Sequence, residues 1–290
     1  MVDEQGADDF LDRITLQQID RDIFTGICHS GAPMRAFGGQ IAAQSLMAAG
    51  TTVTDPNRYV HSLHGYFLRP GRTQESIAYL VERPRDGGSF STRIVRAVQD
   101  GETIFMMTAS FAVTDSGPEH QFSEPLVVDP ALVPQATVLG KIPMAAQDRT
   151  SLHYPEETLL ELLIVGDEAQ SLELIEGRYE RMAWVRVTQA LPASDLVQAC
   201  ALTYLSDLTM VGTALAPHPQ GRENLQLASI DHAMWFHAPV RADQWLLFAQ
   251  DTPVARHGHG LARGLFYDTS GALVASVVQE SLMRTNRKRG

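Results

Sequence analysis

The stretch Ala233-Met234-Trp235-Phe236-His237-Ala238-Pro239 repeats a pattern that the chain first shows at His64-Gly65-Tyr66-Phe67-Leu68-Arg69-Pro70. Each stretch ends at a proline and is followed by a long strand candidate, a glycine-containing turn and an apolar strand candidate. The two series are offset by roughly 170 residues, as an internal duplication would be. The sequence therefore predicts two copies of one folding module, with a site where the copies meet.

Each copy also contains a helix candidate that is small and apolar around most of its circumference, as a buried helix should be. The first covers residues 37–50, and Gly50 is expected in the left-handed conformation that ends a helix. The second covers residues 194–206, with Ser194 or Asp195 as its N-cap. Strand candidates follow at residues 60–68, 74–82, 89–98 and 102–113 in the first copy and 229–237, 245–255, 260–267 and 273–284 in the second. A buried helix that is followed by consecutive antiparallel strands predicts an α+β fold, in which a sheet wraps around each helix.

The module boundaries follow from these elements. We predict an N-terminal module over residues 1–115, a connecting region over 116–178 and a C-terminal module over 179–290. The connecting region begins rich in proline and acidic residues, and residues 156–165 are predicted to form a helix. In the first module, Asp100-Gly101 predicts a tight hairpin between the last two strands.

Composition narrows the class of function. The formal net charge of −11 at pH 7 argues against nonspecific binding to nucleic acid, because such affinity comes largely from neutralised phosphates. No apolar run approaches the length that spans a bilayer, so no membrane insertion is expected. The acidic start of the chain lacks the segments of a signal peptide, and the only cysteines are Cys28 and Cys200. We therefore expect a cytoplasmic protein with buried thiols and no disulfide framework.

Signatures of several catalytic classes are missing from the sequence. It has no G-x-S-x-G elbow, no H-E-x-x-H, no G-x-x-x-x-G-K-[ST] and no G-x-G-x-x-G after a strand. The histidines lack metal-ligand spacing, and His257-Gly258-His259 lies in a predicted hairpin loop. Covalent serine catalysis, zinc hydrolysis and nucleotide chemistry are therefore disfavoured, and we expect neither a metal nor a cofactor.

Asp207 directly follows the second apolar helix. A carboxylate there faces the negative end of the helix dipole, which is unfavourable without compensation. Its apolar neighbours should raise its pKa, as is common for catalytic carboxylates. An exposed residue just past the helix end is an equally good interpretation of the pattern.

Two further polar residues of the second copy stand out. Strand alternation places Ser229 on the same face as Asp231, although a serine at the start of a strand is ordinary. Gln279 shares a face with Val277, so we expect it to be partly buried and to need hydrogen-bond partners. The first copy has Ala109 at the matching place, and this difference favours a specific role for Gln279.

Five stretches together form a specific pattern. They are Gly38-Gly39-Gln40, His61-Ser62-Leu63-His64-Gly65-Tyr66-Phe67-Leu68-Arg69-Pro70-Gly71, Tyr204-Leu205-Ser206-Asp207-Leu208, Ser229-Ile230-Asp231-His232-Ala233-Met234-Trp235-Phe236-His237 and Val277-Val278-Gln279-Glu280. They resemble the bacterial acyl-CoA thioesterase II family, over nearly the whole chain and least clearly in the connecting region. The resemblance implies a double hotdog fold, in which two antiparallel sheets each wrap around a central helix.

The resemblance also implies an enzyme that hydrolyses fatty acyl-CoA, of medium to long chain length, to free fatty acid and coenzyme A. By motif, the residues that position the hydrolytic water become Asp207, Ser229 and Gln279. Ser229 stands where the family more often has threonine; serine keeps the hydroxyl but lacks the methyl group that restricts the rotamer.

A thioester has a good leaving group, so its hydrolysis needs a positioned water and a stabilised oxyanion. Backbone amides at a helix N-terminus suit the oxyanion, and Gly38 and Gly39 allow close approach there. His64 is expected to line the same pocket, or else to be an ordinary strand histidine with satisfied hydrogen bonds.

The expected partners are acyl-CoA and further copies of the chain. Sheet edges of this kind usually pair, which predicts a homo-oligomer. The phosphates of coenzyme A need arginines, and the candidates near the motifs are Arg35, Arg69, Arg93 and Arg263.

Two other functions stay open at this point. A hotdog hydratase acting on enoyl thioesters would need a histidine–aspartate dyad, and Asp231 and His232 are adjacent but on opposite strand faces. A noncatalytic acyl-CoA-binding protein would bind ligand without turnover, although the sequence offers no output module for a sensor.

Overall fold

The computed structural model describes residues 9–28, 35–125, 129–132, 159–165, 173–175, 178–218 and 224–285. Its helices are α1 (Phe10–Ile14), α2 (Gly38–Thr51), α3 (Asp195–Ser206) and α4 (Met210–Leu215), with one 3-10 turn at Pro130–Leu132. Its strands are β1 (Gln17–Asp20), β2 (Ile23–Ile27), β3 (Arg58–Phe67), β4 (Ser76–Asp86), β5 (Phe90–Gln99), β6 (Glu102–Val113), β7 (Leu160–Ile164), β8 (Glu173–Ile175), β9 (Arg178–Val187), β10 (Leu225–Ser229), β11 (Asp231–Phe236), β12 (Leu246–Arg256), β13 (His259–Asp268) and β14 (Leu273–Thr285).

Across the described residues, the strands form one antiparallel sheet of 14 strands. The first half runs β2-β4-β5-β6-β3 and the second runs β11-β14-β13-β12-β9, so the halves mirror each other about the β3–β11 pair. The central helix α2 packs against β5, β6 and β4, whereas α3 packs beside α2 and on β3 and β9. This arrangement confirms the predicted duplication and the double hotdog fold.

The two central helices lie side by side, with the start of α2 beside the end of α3. A Cβ atom added at Gly39 would lie 2.6 Å from the carbonyl oxygen of Tyr204, and one at Gly50 would meet the side chain of Leu196. The prediction that Gly50 adopts a left-handed conformation is wrong, because α2 continues through it to Thr51. Its missing Cβ instead allows α3 to approach.

The predicted hairpin at Asp100-Gly101 is confirmed, since both residues have positive φ angles, of 51° and 76°. His257 and Gly258 form the equivalent turn between β12 and β13, with φ angles of 55° and 79°. Paired positive φ angles match the twist of antiparallel strands. The two turns therefore fix the register between β5 and β6 in the first copy and between β12 and β13 in the second.

The predicted helix over residues 156–165 is wrong where the structure describes it. Leu160–Ile164 is strand β7, which pairs with β9; residues 156–158 lie outside the described part of the chain. A short apolar run fits a buried helix or a buried strand equally well, and here the free edge of β9 decides between them. The sequence also did not predict α4, which lies on the inner face of β12 and β13. No helix among the described residues is long and apolar enough to cross a membrane.

Candidate active site

Asp207 is the C-cap residue of α3, and only 8% of its surface is exposed. Burial raises its pKa, because a charged carboxylate loses its hydration there. Hydrogen bonds from Gln279, Gly39 and Ser229 oppose this effect without cancelling it. The alternative interpretation of Asp207 as an exposed residue past the helix end is therefore wrong.

The start of α2 supplies the compensation that a carboxylate at the end of α3 requires. The backbone N–H of Gly39 donates a hydrogen bond to Asp207. A Cβ at Gly38 would lie 2.7 Å from Oδ2 of Asp207 and 2.9 Å from Cζ of Phe67, so this approach is open only to glycine. The positive end of the α2 dipole thus faces the carboxylate that the α3 dipole disfavours.

A β-bulge turns Ser229 toward Asp207. Ser229 in β10 pairs with Ser281, whereas Ala233 in β11 pairs with Val278, so the register shifts by one residue around Ile230. A one-residue shift reverses the face on which later side chains lie. The prediction that Ser229 and Asp231 share a face is therefore wrong, and Ser229 instead shares the inner face with His232.

Gln279 links Ser229 to the interior of the second copy. It is 0% exposed on β14, and its Nε2 donates to Oγ of Ser229 at 3.0 Å. Ser229 in turn donates to Oδ1 of Asp207 at 3.4 Å. The prediction that Gln279 needs hydrogen-bond partners is confirmed, although its side chain is fully rather than partly buried. The structure therefore brings Asp207, Ser229 and Gln279 into one hydrogen-bonded cluster.

His232 is a member of this cluster that the sequence analysis did not single out for this role. It is 0% exposed, with Nδ1 2.6 Å from Oε1 of Gln279 and Nε2 2.8 Å from Oγ of Ser206. The only sequence signal was its place within the motif of residues 229–237. A buried histidine in a strand otherwise looks like ordinary packing.

His64 lies on the other face of the sheet. Its Nε2 is 3.2 Å from Oδ2 of Asp231, and its side chain is 49% exposed. Consecutive residues of a strand point to opposite faces, and His232 points inward, so Asp231 points outward. The structure does not bring His64 together with Asp207. In this arrangement the His64 side chain lies away from Asp207, on the outer face of the sheet.

The four arginines predicted to bind the phosphates of coenzyme A differ in how deeply they are buried. Arg93 is 1% exposed and its guanidinium donates to Asp86 and to backbone carbonyls, so the prediction that it meets a phosphate is wrong. The other three, Arg35, Arg69 and Arg263, lie at the surface. No group of three or more metal-ligating side chains occurs among the residues that the structure describes.

This arrangement can bind and deprotonate one water molecule. A buried carboxylate with a raised pKa is a base, while the hydroxyl of Ser229 and the amide of Gln279 are neutral groups that can orient a hydrogen-bonded water. In the described contacts Ser229 bonds Asp207 and Gln279, and no histidine contacts its hydroxyl. The geometry therefore favours an activated water over a serine–histidine nucleophile.

Family models match both halves of the chain. Residues 29–112 match the N-terminal domain of acyl-CoA thioesterase, and residues 166–282 match the acyl-CoA thioesterase model.

Named relatives match along nearly the whole chain. It is 36% identical to acyl-coenzyme A thioesterase 8 of Homo sapiens, over 93% of this chain and 87% of that protein. It is 34% identical to acyl-CoA thioesterase 2 of Haemophilus influenzae, over 93% of this chain and 95% of that protein. Among solved structures, the acyl-CoA thioesterase II TesB2 from Mycobacterium marinum is 40% identical, with a TM-score of 0.81 over 97% of this chain and 98% of that chain. The chain therefore belongs to the acyl-CoA thioesterase II family, and it is a thioester hydrolase that acts on acyl-CoA.

Proposed function

We propose that this thioesterase hydrolyses medium- to long-chain fatty acyl-CoA with a water that Asp207 deprotonates and that Ser229 and Gln279 orient. One observation carries the proposal. The three side chains come from the end of α3, the bulge before β11 and the middle of β14, yet they form one hydrogen-bonded cluster at the start of α2.

In this mechanism Asp207 takes a proton from the water, and the resulting hydroxide attacks the carbonyl carbon of the thioester. The tetrahedral intermediate then collapses and the C–S bond breaks. The coenzyme A sulfur leaves with the electron pair and receives the proton from Asp207. Fatty acid and free thiol are the products, and the carboxylate is ready for the next cycle.

The amides of Gly38 and Gly39 are the proposed donors to the oxyanion. They lie in the first turn of α2, a helix of 14 residues, where backbone N–H groups are not used within the helix. The Gly39 amide bonds Asp207 in the free enzyme, so we assign the more direct oxyanion contact to Gly38. The Phe67 ring beside Gly38 would exclude bulk water from that contact.

The surroundings of Asp207 support an apolar acyl group. Phe37 and Phe67 flank the two glycines, and Leu208 and Met210 follow Asp207 as buried residues. Apolar neighbours of this kind favour a hydrocarbon chain over a polar acyl group. We therefore assign fatty acyl chains to this site, with chain length as the property to be measured.

The enzyme is also proposed to be a homo-oligomer. Tyr66, Met106 and Trp235 are large apolar side chains of the central strands β3, β6 and β11, and each is more than 40% exposed. Their outer face is the kind of surface that a second copy would cover.

We assign no nucleic-acid partner, because the net charge is −11 at pH 7. The buried thiols of Cys28 and Cys200 support a reducing compartment, the cytoplasm.

The test is release of free thiol from acyl-CoA substrates of increasing chain length, compared between the wild type and Asp207→Asn. We expect medium- and long-chain substrates to be hydrolysed fastest. The variant should lose roughly 100- to 10,000-fold in kcat, as expected for removal of a general base, and should keep its affinity for acyl-CoA. A variant with wild-type kcat would overturn the role of Asp207.

A parallel assay separates the two other functions. Hydration of an enoyl-CoA would favour a hydratase. It is measured as a loss of the absorbance of the conjugated enoyl thioester without release of free thiol. Binding without turnover of any substrate would favour a carrier. The structure lends the hydratase less support, because His232 contacts Gln279 and the contact between His64 and Asp231 lies on the outer face of the sheet, away from Asp207.

A further inference from the structure

We propose that His232 is a positioning residue that fixes the orientation of the Gln279 side-chain amide; this inference rests on the proposed function of the Asp207–Ser229–Gln279 cluster. His232 is fully buried between Ser206 at the end of α3 and Gln279 on β14. Its Nε2 lies 2.8 Å from Oγ of Ser206, and its Nδ1 lies 2.6 Å from Oε1 of Gln279. Both ring nitrogens are therefore used inside the protein.

The orientation of the amide decides whether Gln279 is a donor or an acceptor at the site. The two ends of a glutamine amide have nearly the same shape but opposite hydrogen-bonding character. With its NH₂ group toward the site, Gln279 donates to Oγ of Ser229 at 3.0 Å and also donates to Asp207. Rotated by half a turn, it would direct a carbonyl oxygen at the carboxylate. Two acceptors would then face each other in a buried place.

The proton on the His232 ring follows from these partners. Oε1 of Gln279 can only accept, so Nδ1 of His232 must carry the hydrogen. In the neutral ring, Nε2 is then an acceptor that competes for the single hydroxyl hydrogen of Ser206. The carbonyl of Thr203 and the sulfur of Met234 are other acceptors near that hydroxyl, at 2.8 and 3.2 Å.

With this tautomer, every hydrogen bond in the series points the same way. His232 donates to Gln279, Gln279 donates to Ser229, and Ser229 donates to Asp207. Donors aligned in series polarise one another and strengthen each bond. The series ends at the proposed base. His232 thus transmits the orientation set by α3 to the groups that orient the water.

The bulge at Ile230 makes this arrangement possible. By shifting the register, it places Ser229 and His232 on the same inner face, three residues apart, where they contact the two ends of the Gln279 amide. Regular alternation would place one of them on the outer face. The bulge and His232 therefore act together to fix the orientation of the Gln279 amide.

Two substitutions of His232 separate its two nitrogens. The amide nitrogen of asparagine lies about where Nδ1 of histidine lies, and that of glutamine lies about where Nε2 lies. His232→Asn should keep the donor to Gln279 and retain kcat within about tenfold. His232→Gln keeps a group near Ser206 but loses that donor, and its kcat should fall on the order of 100-fold with little change in KM, because the water is misoriented.

The decisive control repeats the His232→Gln change in a Gln279→Ala background. If His232 acts through Gln279, the second change should alter kcat by less than about twofold there. An equal loss from His232→Gln in both backgrounds, or equal losses from the asparagine and glutamine variants, would overturn the positioning role. Wild-type kcat in Gln279→Ala alone would instead overturn the proposed function of Gln279 itself.

A measurement on the wild type keeps the proposal testable if these variants do not fold. Selective ¹⁵N labelling of histidine distinguishes the Nδ1–H and Nε2–H tautomers by the shifts of the ring nitrogens. We expect one histidine that is shielded from solvent to be in the Nδ1–H form. The ¹⁵N shifts of its ring nitrogens should change in Gln279→Ala. The absence of any Nδ1–H histidine would contradict the proposal.

Discussion

The backbone amide of Gly39, in the first turn of α2, donates a hydrogen bond to the carboxylate of Asp207 at the end of α3. Each residue belongs to a different copy of the module, so neither copy contains the complete site. The first copy contributes a helix N-terminus and two glycines, while the second contributes Asp207, the proposed base, and its hydrogen-bond partners. Duplication therefore allowed the copies to specialise, as the contrast between Gln279 and the buried Ala109 illustrates.

The raised pKa of Asp207 sets the pH dependence of the rate. Because the base must be ionised, kcat/KM should fall as the pH drops through a value above that of an ordinary aspartate. The hydrogen bond from Ser229 lowers the pKa of Asp207, so Ser229→Ala should move this acid limb to higher pH and reduce kcat by about tenfold or more. The measurement is a pH profile of thiol release.

Ser229→Thr is the matched control for that profile. Threonine keeps the hydroxyl and adds a methyl group that restricts its rotamer, so the acid limb should stay in place and kcat should be at least that of the wild type. An acid limb that does not move in Ser229→Ala would contradict the assignment of Ser229 as a donor to the base.

Asp207 also links stability to pH. Its pKa is higher in the folded protein than in the unfolded chain, so the folded state binds the proton more tightly. The stability that this group contributes is therefore present at low pH and is lost as the pH rises through the folded pKa. Asp207→Asn, which does not titrate, should have a higher Tm than the wild type at pH 7. This difference should shrink toward pH 4, and a lower Tm of the variant at pH 7 would contradict the burial argument.

Most of the fold could be predicted because its signals are local. The repeated strand patterns, the apolar helices and the Asp100-Gly101 turn each depend on neighbouring residues. The strand at Leu160–Ile164 could not be predicted, because a short apolar run becomes a strand only when an edge such as that of β9 is available.

The sequence motifs predicted which residues form the site, but not their burial, orientation or contacts. Asp207, Ser229 and Gln279 could be named by their resemblance to the family, but the burial of Asp207 depends on α2, which is more than 150 residues away along the chain. The inward turn of Ser229 depends on a bulge, and a bulge leaves no mark in an alternating sequence. His232 was missed for the same reason, because regular alternation starting from Ser229 would place its side chain on the opposite face of the sheet.

The glycines at the start of α2 should separate catalysis from packing. A methyl group at Gly38 would meet Oδ2 of Asp207 and the Phe67 ring, so Gly38→Ala should lower kcat on the order of 100-fold with a small change in Tm. A methyl group at Gly39 would meet the backbone carbonyl of Tyr204, which cannot move aside, so Gly39→Ala should lower the Tm as well. Thiol release and thermal unfolding measure the two effects.

Gly88→Ala is the matched control for this pair. An added Cβ there meets nothing within 4 Å, and the variant should keep both the kcat and the Tm of the wild type. Wild-type kcat in Gly38→Ala would show that the α2 N-terminus lies too far from the reacting atoms to matter.

The exposed face around Trp235 should hold the copies of the proposed homo-oligomer together. Trp235 is 44% exposed on β11, at the joint between the two halves of the sheet. Trp235→Glu would place a charge in an apolar contact and should shift the protein to a smaller species, as measured by light scattering during gel filtration. Ile19→Glu is the comparison, because Ile19 is 57% exposed on the edge strand β1, where edge pairing was expected from the sequence. Dissociation by Ile19→Glu alone would move the interface from the face of the sheet to its edge, and a monomeric wild type would exclude both.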